Sequence, residues 1–238
     1  FMNHADFGLG TWYPKGGFNA VALGMVELAK ELGVKFIINQ EVIEIETENN
    51  TAKRVKTSND IFEADLVISG ADYAHTEKLL KQNEKNYNED YWQKKVFAPS
   101  SFLYYVAFDR KVPELQHHNL FFDTDFGQHA IDIYDEPKLP KKPLFYANFS
   151  SKTDLDLCPE GKETGFFLIP VAVDLEDNQK IHDAYFELIM ARIEKNIGVD
   201  LRNSVLFKKS FGIKDFKERY NSCRGNAYGL ANTLWQTS

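Results

Sequence analysis

This sequence is poor in the residues that staple a chain, carry it across a membrane or coordinate a metal. Only two cysteines, Cys158 and Cys223, occur in 238 residues. They lie far apart, outside any C-x-x-C or Cys/His ligand spacing, which suits a reducing compartment and argues against a structural zinc site. Both read as free thiols. The longest apolar run, residues 166–173, is broken by Pro170 and falls far short of the ~20 residues that span a bilayer, so neither a transmembrane helix nor a signal peptide is expected. Positive charge is scarce as well. With 28 Lys and Arg against 35 Asp and Glu, the formal charge is −7, which excludes wholesale nucleic-acid binding and gives no general attraction to anionic lipid. There is no H-E-x-x-H pair, no G-x-S-x-G elbow, no internal repeat and no low-complexity tract, so metalloenzyme and hydrolase readings lose ground.

What is present is concentrated in residues 11–47. Val21, Met25, Leu28 and Leu32 recur at steps of three and four and line one face of a helix. Gly33 ends it, and the β-branched Val34, Ile37 and Ile38 favour a strand. Asn39-Gln40 offers a break before Val42, Ile43 and Ile45 resume as a second extended piece. Residues 52–70 read as a small meander after an Asn49-Asn50 turn, with strands at 54–57, 61–62 and 66–68. A short helix is expected over 74–85 with Leu79 and Leu80 inward, and the polar stretch 83–90 is a candidate domain crossing.

Beyond it, segments 102–108, 120–122, 131–134, 144–149 and 166–173 are short, aromatic or β-branched and separated by turn residues, which predicts a largely antiparallel sheet. Asp174 is placed to cap a helix carrying Ile181, Tyr185, Leu188 and Ile189, ended by Gly198. A strand near 205–208 and a short helix with Phe216 and Tyr220 follow. Lys138, Lys141 and Lys142 stand among Pro137, Pro140 and Pro143 and read as a solvated loop. The fold class is α+β.

Several motifs imitate chemistry. Gly8-Leu9-Gly10-Thr11-Trp12-Tyr13 resembles a dinucleotide fingerprint but has tyrosine at its third glycine, and a Pro-Lys-Gly-Gly turn follows where the phosphate-binding helix should start. His117-His118 invites a metal reading, yet neighbours on a strand point to opposite faces, which predicts one buried and one exposed histidine. Gly225 and Gly229 read as tight loop or helix packing. The 33 aromatic residues, 19 Phe, 11 Tyr and 3 Trp, supply an apolar core and leave a minority for a ligand pocket.

Long blocks then carry a resemblance: WYPKGG at 12–17, ELGVKFIINQEVIEI at 31–45, EADLVISGADY at 63–73 and YWQKKVFAPSSFLYYVAFDR at 91–110. HHNLFFD at 117–123, SSKTDLDLCPEGKETGFFLIPVA at 150–172 and YNSCRGNAYGLANTLWQTS at 220–238 continue it. In this order, over nearly the whole sequence, they resemble bacterial-type phytoene desaturases, in the branch seen in Bacteroidetes-type bacteria. These are FAD-dependent carotenoid dehydrogenases of the amine-oxidase-like flavoprotein group. Cys158 departs mildly from the pattern, standing where a small apolar residue is expected before Pro159.

The resemblance implies an internal fragment, because the family's N-terminal βαβ glycine fingerprint and C-terminal FAD segment have no counterpart in this sequence. On it, residues 1–33 are a leading segment and helix on the substrate side, and 34–82 the β-meander side of an FAD-binding domain. Residues 83–214 are then a substrate-binding domain and 215–238 a return toward the FAD domain. Val42 resembles the position whose backbone meets the FAD adenine, Ser69, Gly70 and Ala71 the loop near the dinucleotide, and Tyr13, Pro14, Gly16 and Gly17 the substrate side. FAD binding is expected only in the full-length protein. The implied substrate is a long isoprenoid polyene, and the implied location cytoplasmic with peripheral membrane contact. No catalytic acid or base emerges. A carotenoid isomerase or carotenoid-modifying oxidase, or a non-enzymatic apolar-ligand module, remain the alternatives.

Overall fold

Helix α1 (Gly17–Glu31) forms where the apolar spacing predicts it. The structure, a computed structural model, describes His4 and residues 8–236; residues 1–3 and 5–7 of the leading segment and 237–238 of the return lie outside the described residues. Gly16 and Gly17 (φ 80° and 70°) carry the chain into the helix, and Gly33 (φ 84°) carries it out, turns that residues with a Cβ resist. The expected face exists but is unpacked, for Val21, Met25, Leu28 and Leu32 are all exposed. The strand expected at Val34, Ile37 and Ile38 does not form. Residues 34–38 pair with no strand among the described residues, and β-branched side chains alone cannot hold a strand without a ladder.

After the break at Asn39 (φ 58°), β1 (Val42–Glu48), β2 (Thr51–Thr57) and β3 (Ile61–Glu63) make an antiparallel meander in chain order. Asn49 and Asn50, at φ 53° and 59°, supply the left-handed pair a tight hairpin needs. Residues 66–68 are again not a strand, and Leu66 and Ile68 stand exposed. Helix α2 (Tyr73–Lys78) ends well before residue 85. Its buried Glu77 takes the Asn86 N–H at 2.9 Å and the Asn86 amide Nδ2 at 3.1 Å, which folds the chain back. Leu79, beyond the helix end, is buried and its carbonyl accepts the Ile45 N–H at 2.9 Å, tying α2 to β1. Helix α3 (Glu89–Lys94) buries Trp92 against Tyr73, Tyr87 and Tyr91.

The larger sheet is antiparallel throughout, in the order β5 (His118–Phe121), β6 (Phe145–Asn148), β7 (Glu163–Val171), β4 (Ser100–Phe108), β8 (Val205–Phe211). Burial alternates residue by residue along β7, the period-two signature of a sheet with one core face. On that face Phe102, Tyr104, Phe167 and Ile169 pack with Tyr185 and Ile189 of the long helix α5 (Gln179–Ile197). The Tyr104 hydroxyl donates to the His182 carbonyl at 2.9 Å and the Tyr185 hydroxyl to that of Pro140 at 2.7 Å. Burial pushes the Tyr185 phenol up to about 12.

Two expectations change here. Residues 131–134 are a π-helical turn (Ile131–Asp135) continuing α4 (Phe126–Ala130), because Asp125 caps a helix start and Gln128 donates to Asp132 one turn on at 2.8 Å. Helix α5 is capped by Asn178, whose carbonyl oxygen accepts the Ile181 N–H at 3.0 Å. Asp174 instead sits at φ 58° and pairs with Lys217 (2.8 Å) and Arg224 (2.5 Å). Gly198 ends α5 at φ 71°, and α6 (Ile213–Tyr220) follows β8, as expected. In the lysine-proline loop Lys138, Lys141 and Lys142 are exposed as expected, while Pro140 and Pro143 are buried.

Candidate functional site

The second face of the large sheet is apolar without being buried. Pairing register places Leu120, Tyr146, Leu168, Leu103 and Phe211 side by side across β5, β6, β7, β4 and β8. Paired residues in a ladder share a face, and strands lie ~4.8 Å apart, so this row spans roughly 19 Å. The next row holds His118, Asn148, Phe166, Tyr105 and Lys209. Tyr105 and Phe166 meet with ring centroids 5.3 Å apart, and Tyr146 and Phe166 at 6.5 Å. Partial burial, with Tyr220 nearby, raises the Tyr105 pKa. At the β8 end, Phe216 and Tyr220 of α6 close on Phe211.

At the β5 end the wall gains polar groups and meets the Pro-Lys-Gly-Gly turn at 14–17. Tyr13 packs edge-on to His117 at 5.0 Å, His117 stacks on His118 at 4.2 Å, and His118 Nδ1 is hydrogen-bonded to the Tyr146 hydroxyl at 2.5 Å. Asn148 donates to the same hydroxyl at 2.8 Å. The two histidines thus lie side by side, not on opposite faces, because His117 precedes the strand and is free of its alternation. It is half-buried and His118 is exposed. Burial, then the neighbouring His118, lowers the His117 pKa.

The turn is fixed by a residue that motif reading missed. Asp154 accepts the Gly16 N–H at 2.6 Å, while the Gly17 N–H bonds to the Pro14 carbonyl at 2.8 Å. A Cβ on Gly17 would meet only the movable Tyr13 hydroxyl, 2.9 Å away, so it is the left-handed φ of 70° that calls for glycine there. Tyr13, Pro14, Gly16 and Gly17 are therefore brought together at the β5 edge. Asp154 also places a carboxylate at the N-terminus of α1, where the helix favours an anion. Its loop is anchored by the buried Glu163, which takes the Ser151 hydroxyl and lies 3.4 Å from Lys152 Nζ and 3.8 Å from Lys111 Nζ.

The other expected set sits on the meander unit. Val42 opens β1 opposite Thr57, with a shift of register before Glu44. Ser69, Gly70 and Ala71 are exposed, with open space where a Gly70 Cβ would lie. The Ser69 hydroxyl accepts the Ala71 N–H at 3.3 Å and bonds to the Thr76 hydroxyl at 2.7 Å. Asp72, also unforeseen, caps α2 through one oxygen and with the other accepts the Cys223 N–H (3.2 Å) and Asn226 Nδ2 (3.1 Å). It stitches the meander to the C-terminal segment. A G-A-D start before a helix was the available signal. Gly225, as its spacing suggested, serves packing, since a Cβ there would fall 2.5 Å from Ile213 Cγ2. An open backbone at residues 69–71 suits the flat ring of a dinucleotide. The α1 N-terminus does not suit its phosphates, because Asp154 fills it.

Residues 1–234 match the family described as flavin containing amine oxidoreductase. The chain belongs to that family. Among its flavin-family relatives, carotenoid 3,4-desaturase of Haloarcula japonica is 43% identical over all of this chain and 48% of that protein. The zeta-carotene-forming phytoene desaturase of Myxococcus xanthus is 32% identical over 97% of this chain and 45% of its own length. The chain thus spans about half the length of the curated relatives it matches. An oxidoreductase structure from Methanosarcina mazei shares the fold with a TM-score of 0.60 at 22% identity, covering 84% of this chain and 43% of that one. A Pyrococcus furiosus structure does so at 0.58 and 17%, over 83% and 43%. These structural neighbours agree with the expected α+β class, and the flavin-containing family implies FAD as its cofactor.

Proposed function

We propose that this chain is the polyene-holding part of an FAD-dependent carotenoid desaturase. The apolar row across five strands carries the reading. A long hydrocarbon offers no hydrogen bonds, so it is held by area alone, and a flat face of Leu, Phe and Tyr provides that area. The desaturases among the relatives supply the substrate class, a phytoene-like isoprenoid. When bound, FAD would accept the hydride in forming the new double bond; the chain's own residues orient the polyene and exclude water.

On this reading residues 34–82 belong to the FAD side, with Val42 toward the adenine and Ser69, Gly70 and Ala71 in the loop near the dinucleotide, and 83–214 to the substrate side. Residues 1–33 lead in from that side, with Tyr13, Pro14, Gly16 and Gly17 at the polyene, and 215–238 return toward FAD. The coupling of Tyr13 through His117 and His118 to Tyr146 supports the substrate-side placement. The protein is cytoplasmic and touches the membrane peripherally. A carotenoid-modifying oxidase is the second reading, favoured by a 28%-identical relative named 4,4'-diapolycopene oxygenase.

Titrating the chain with a coloured carotenoid in detergent micelles, read by energy transfer from its tyrosines and tryptophans, tests the wall. We expect saturable binding that Leu103→Asn with Leu168→Asn abolishes; unchanged binding refutes the reading. Product analysis with phytoene, in a protein containing this chain plus an FAD-anchoring half, separates desaturated, isomerised and oxygenated outcomes. The chain alone will carry less than one flavin each, and stoichiometric flavin absorbance would overturn the division of roles.

A further inference from the structure

The apolar row does not stop at the edge of the sheet. Leu120 and Phe122 flank the inward Phe121 and leave β5 exposed, at 65% and 62%. Phe122 meets Phe126, 71% exposed, edge-on at 6.5 Å. Large rings held this far into solvent are costly unless a partner covers them. The tip is not loose. Arg192 of α5 pairs with Asp123, donates to the Pro143 carbonyl and stacks over Phe145 at 4.9 Å, and Thr124 donates to the Lys142 carbonyl at 3.1 Å.

Charge says what the partner is. Asp123 and Thr124 line a cleft of about 770 Å³ with Lys141, Lys142 and Lys195. Among the described residues Lys141 and Lys142 form no ion pair, while Arg192, together with Lys195, holds the Asp123 carboxyl below the usual carboxylate range, although the chain is acidic overall. Unpaired lysines beside projecting phenylalanines suit an anionic lipid interface, where rings enter the acyl boundary and ammonium groups meet phosphate.

We infer that the β5 edge, led by Phe122 and Phe126 and flanked by Lys141, Lys142 and Lys195, docks on an anionic membrane. This rests on the polyene reading, since it sets the end of the apolar row against the phase in which such a substrate dissolves. A polyene leaving the bilayer passes from Phe126 and Phe122 to Leu120 and onto the wall without crossing water.

The test is sedimentation of the chain with phosphatidylcholine vesicles containing or lacking about 30 mol % phosphatidylserine. Binding should require the anionic lipid. Each lysine contributes roughly fivefold to affinity, so Lys141→Gln with Lys142→Gln should weaken binding by about 25-fold. Phe122→Ser with Phe126→Ser should abolish it while leaving the melting temperature unchanged, because both rings are already solvated. Equal binding of these variants, as the exposed α1 face would produce, overturns the proposal. So does a concentration-dependent dimer that Phe126→Ser dissolves in the absence of vesicle binding. The micelle titration is independent: its failure with intact vesicle binding removes the polyene wall and leaves the docking edge.

Discussion

Leu168 and Phe167 are neighbours on β7 and should answer opposite questions. Phe167 is fully buried on the α5 side, and Leu168 sits half-buried in the middle of the apolar row. Phe167→Ala removes a ring from a packed core and should cost about 3–5 kcal/mol. For a chain of this size that is roughly 6–20 °C in melting temperature. Leu168→Ala opens no enclosed cavity and should cost under ~1 kcal/mol. In the complex the same Leu168 would cover polyene, and burying the half of a leucine that is still open is worth about 0.75–1.5 kcal/mol. Polyene affinity should therefore fall about 4- to 13-fold. Thermal melts and the energy-transfer titration, run on both variants, give four numbers. If Leu168→Ala melts as low as Phe167→Ala, or leaves affinity within about twofold, the open face is not a ligand wall.

Three other outcomes are expected. Gly225→Ala meets both a left-handed φ of 70° and the Ile213 carbonyl 2.7 Å from its new Cβ, and should lose about 2–4 kcal/mol in urea denaturation; Gly229→Ala, at φ 84° with open space, should lose only ~1. Asp154→Ala deprives the Gly16 N–H of its partner and should speed amide exchange at Gly16 and Gly17 while α5 stays protected; unchanged exchange there would show the contact is dispensable. Because the His117 pKa lies below that of an unfolded histidine, the unfolded chain takes up the proton first as pH falls. That share of stability is complete above about pH 7 and is lost as pH falls below ~6.5 and through the lower folded pKa. His117→Gln should flatten this part of the melting-temperature profile, and an identical slope in the variant would contradict it.

Local signals in the sequence were strong where one residue dictates geometry. Asn49-Asn50, Gly33 and Gly198 mark turns that the backbone adopts with positive φ, whereas residues 166–171 are apolar throughout and the alternation of burial along β7 emerges only in the structure. Strand expectations failed where hydrophobicity was read without a pairing partner, at 34–38 and 66–68, and where a capped helix ran through residues 131–134. The candidate site was legible only in part. Its turn was visible as Pro-Lys-Gly-Gly, but the wall is a property of register, which joins Leu103, Tyr146 and Leu168 from three distant segments. Asp154 and Asp72 bind partners more than 130 residues away, a distance no local pattern encodes.

The bare face of α1 has a practical consequence. Met25, Leu28, Leu32, Phe36, Ile37 and Ile38 form an oily ribbon facing solvent along a single stretch of chain. Sulfate and other excluded salts strengthen the tendency of such surface to hide. This polypeptide should therefore precipitate from ammonium sulfate earlier than its net charge suggests, and mild surfactant should keep it dispersed at concentrations where plain buffer does not.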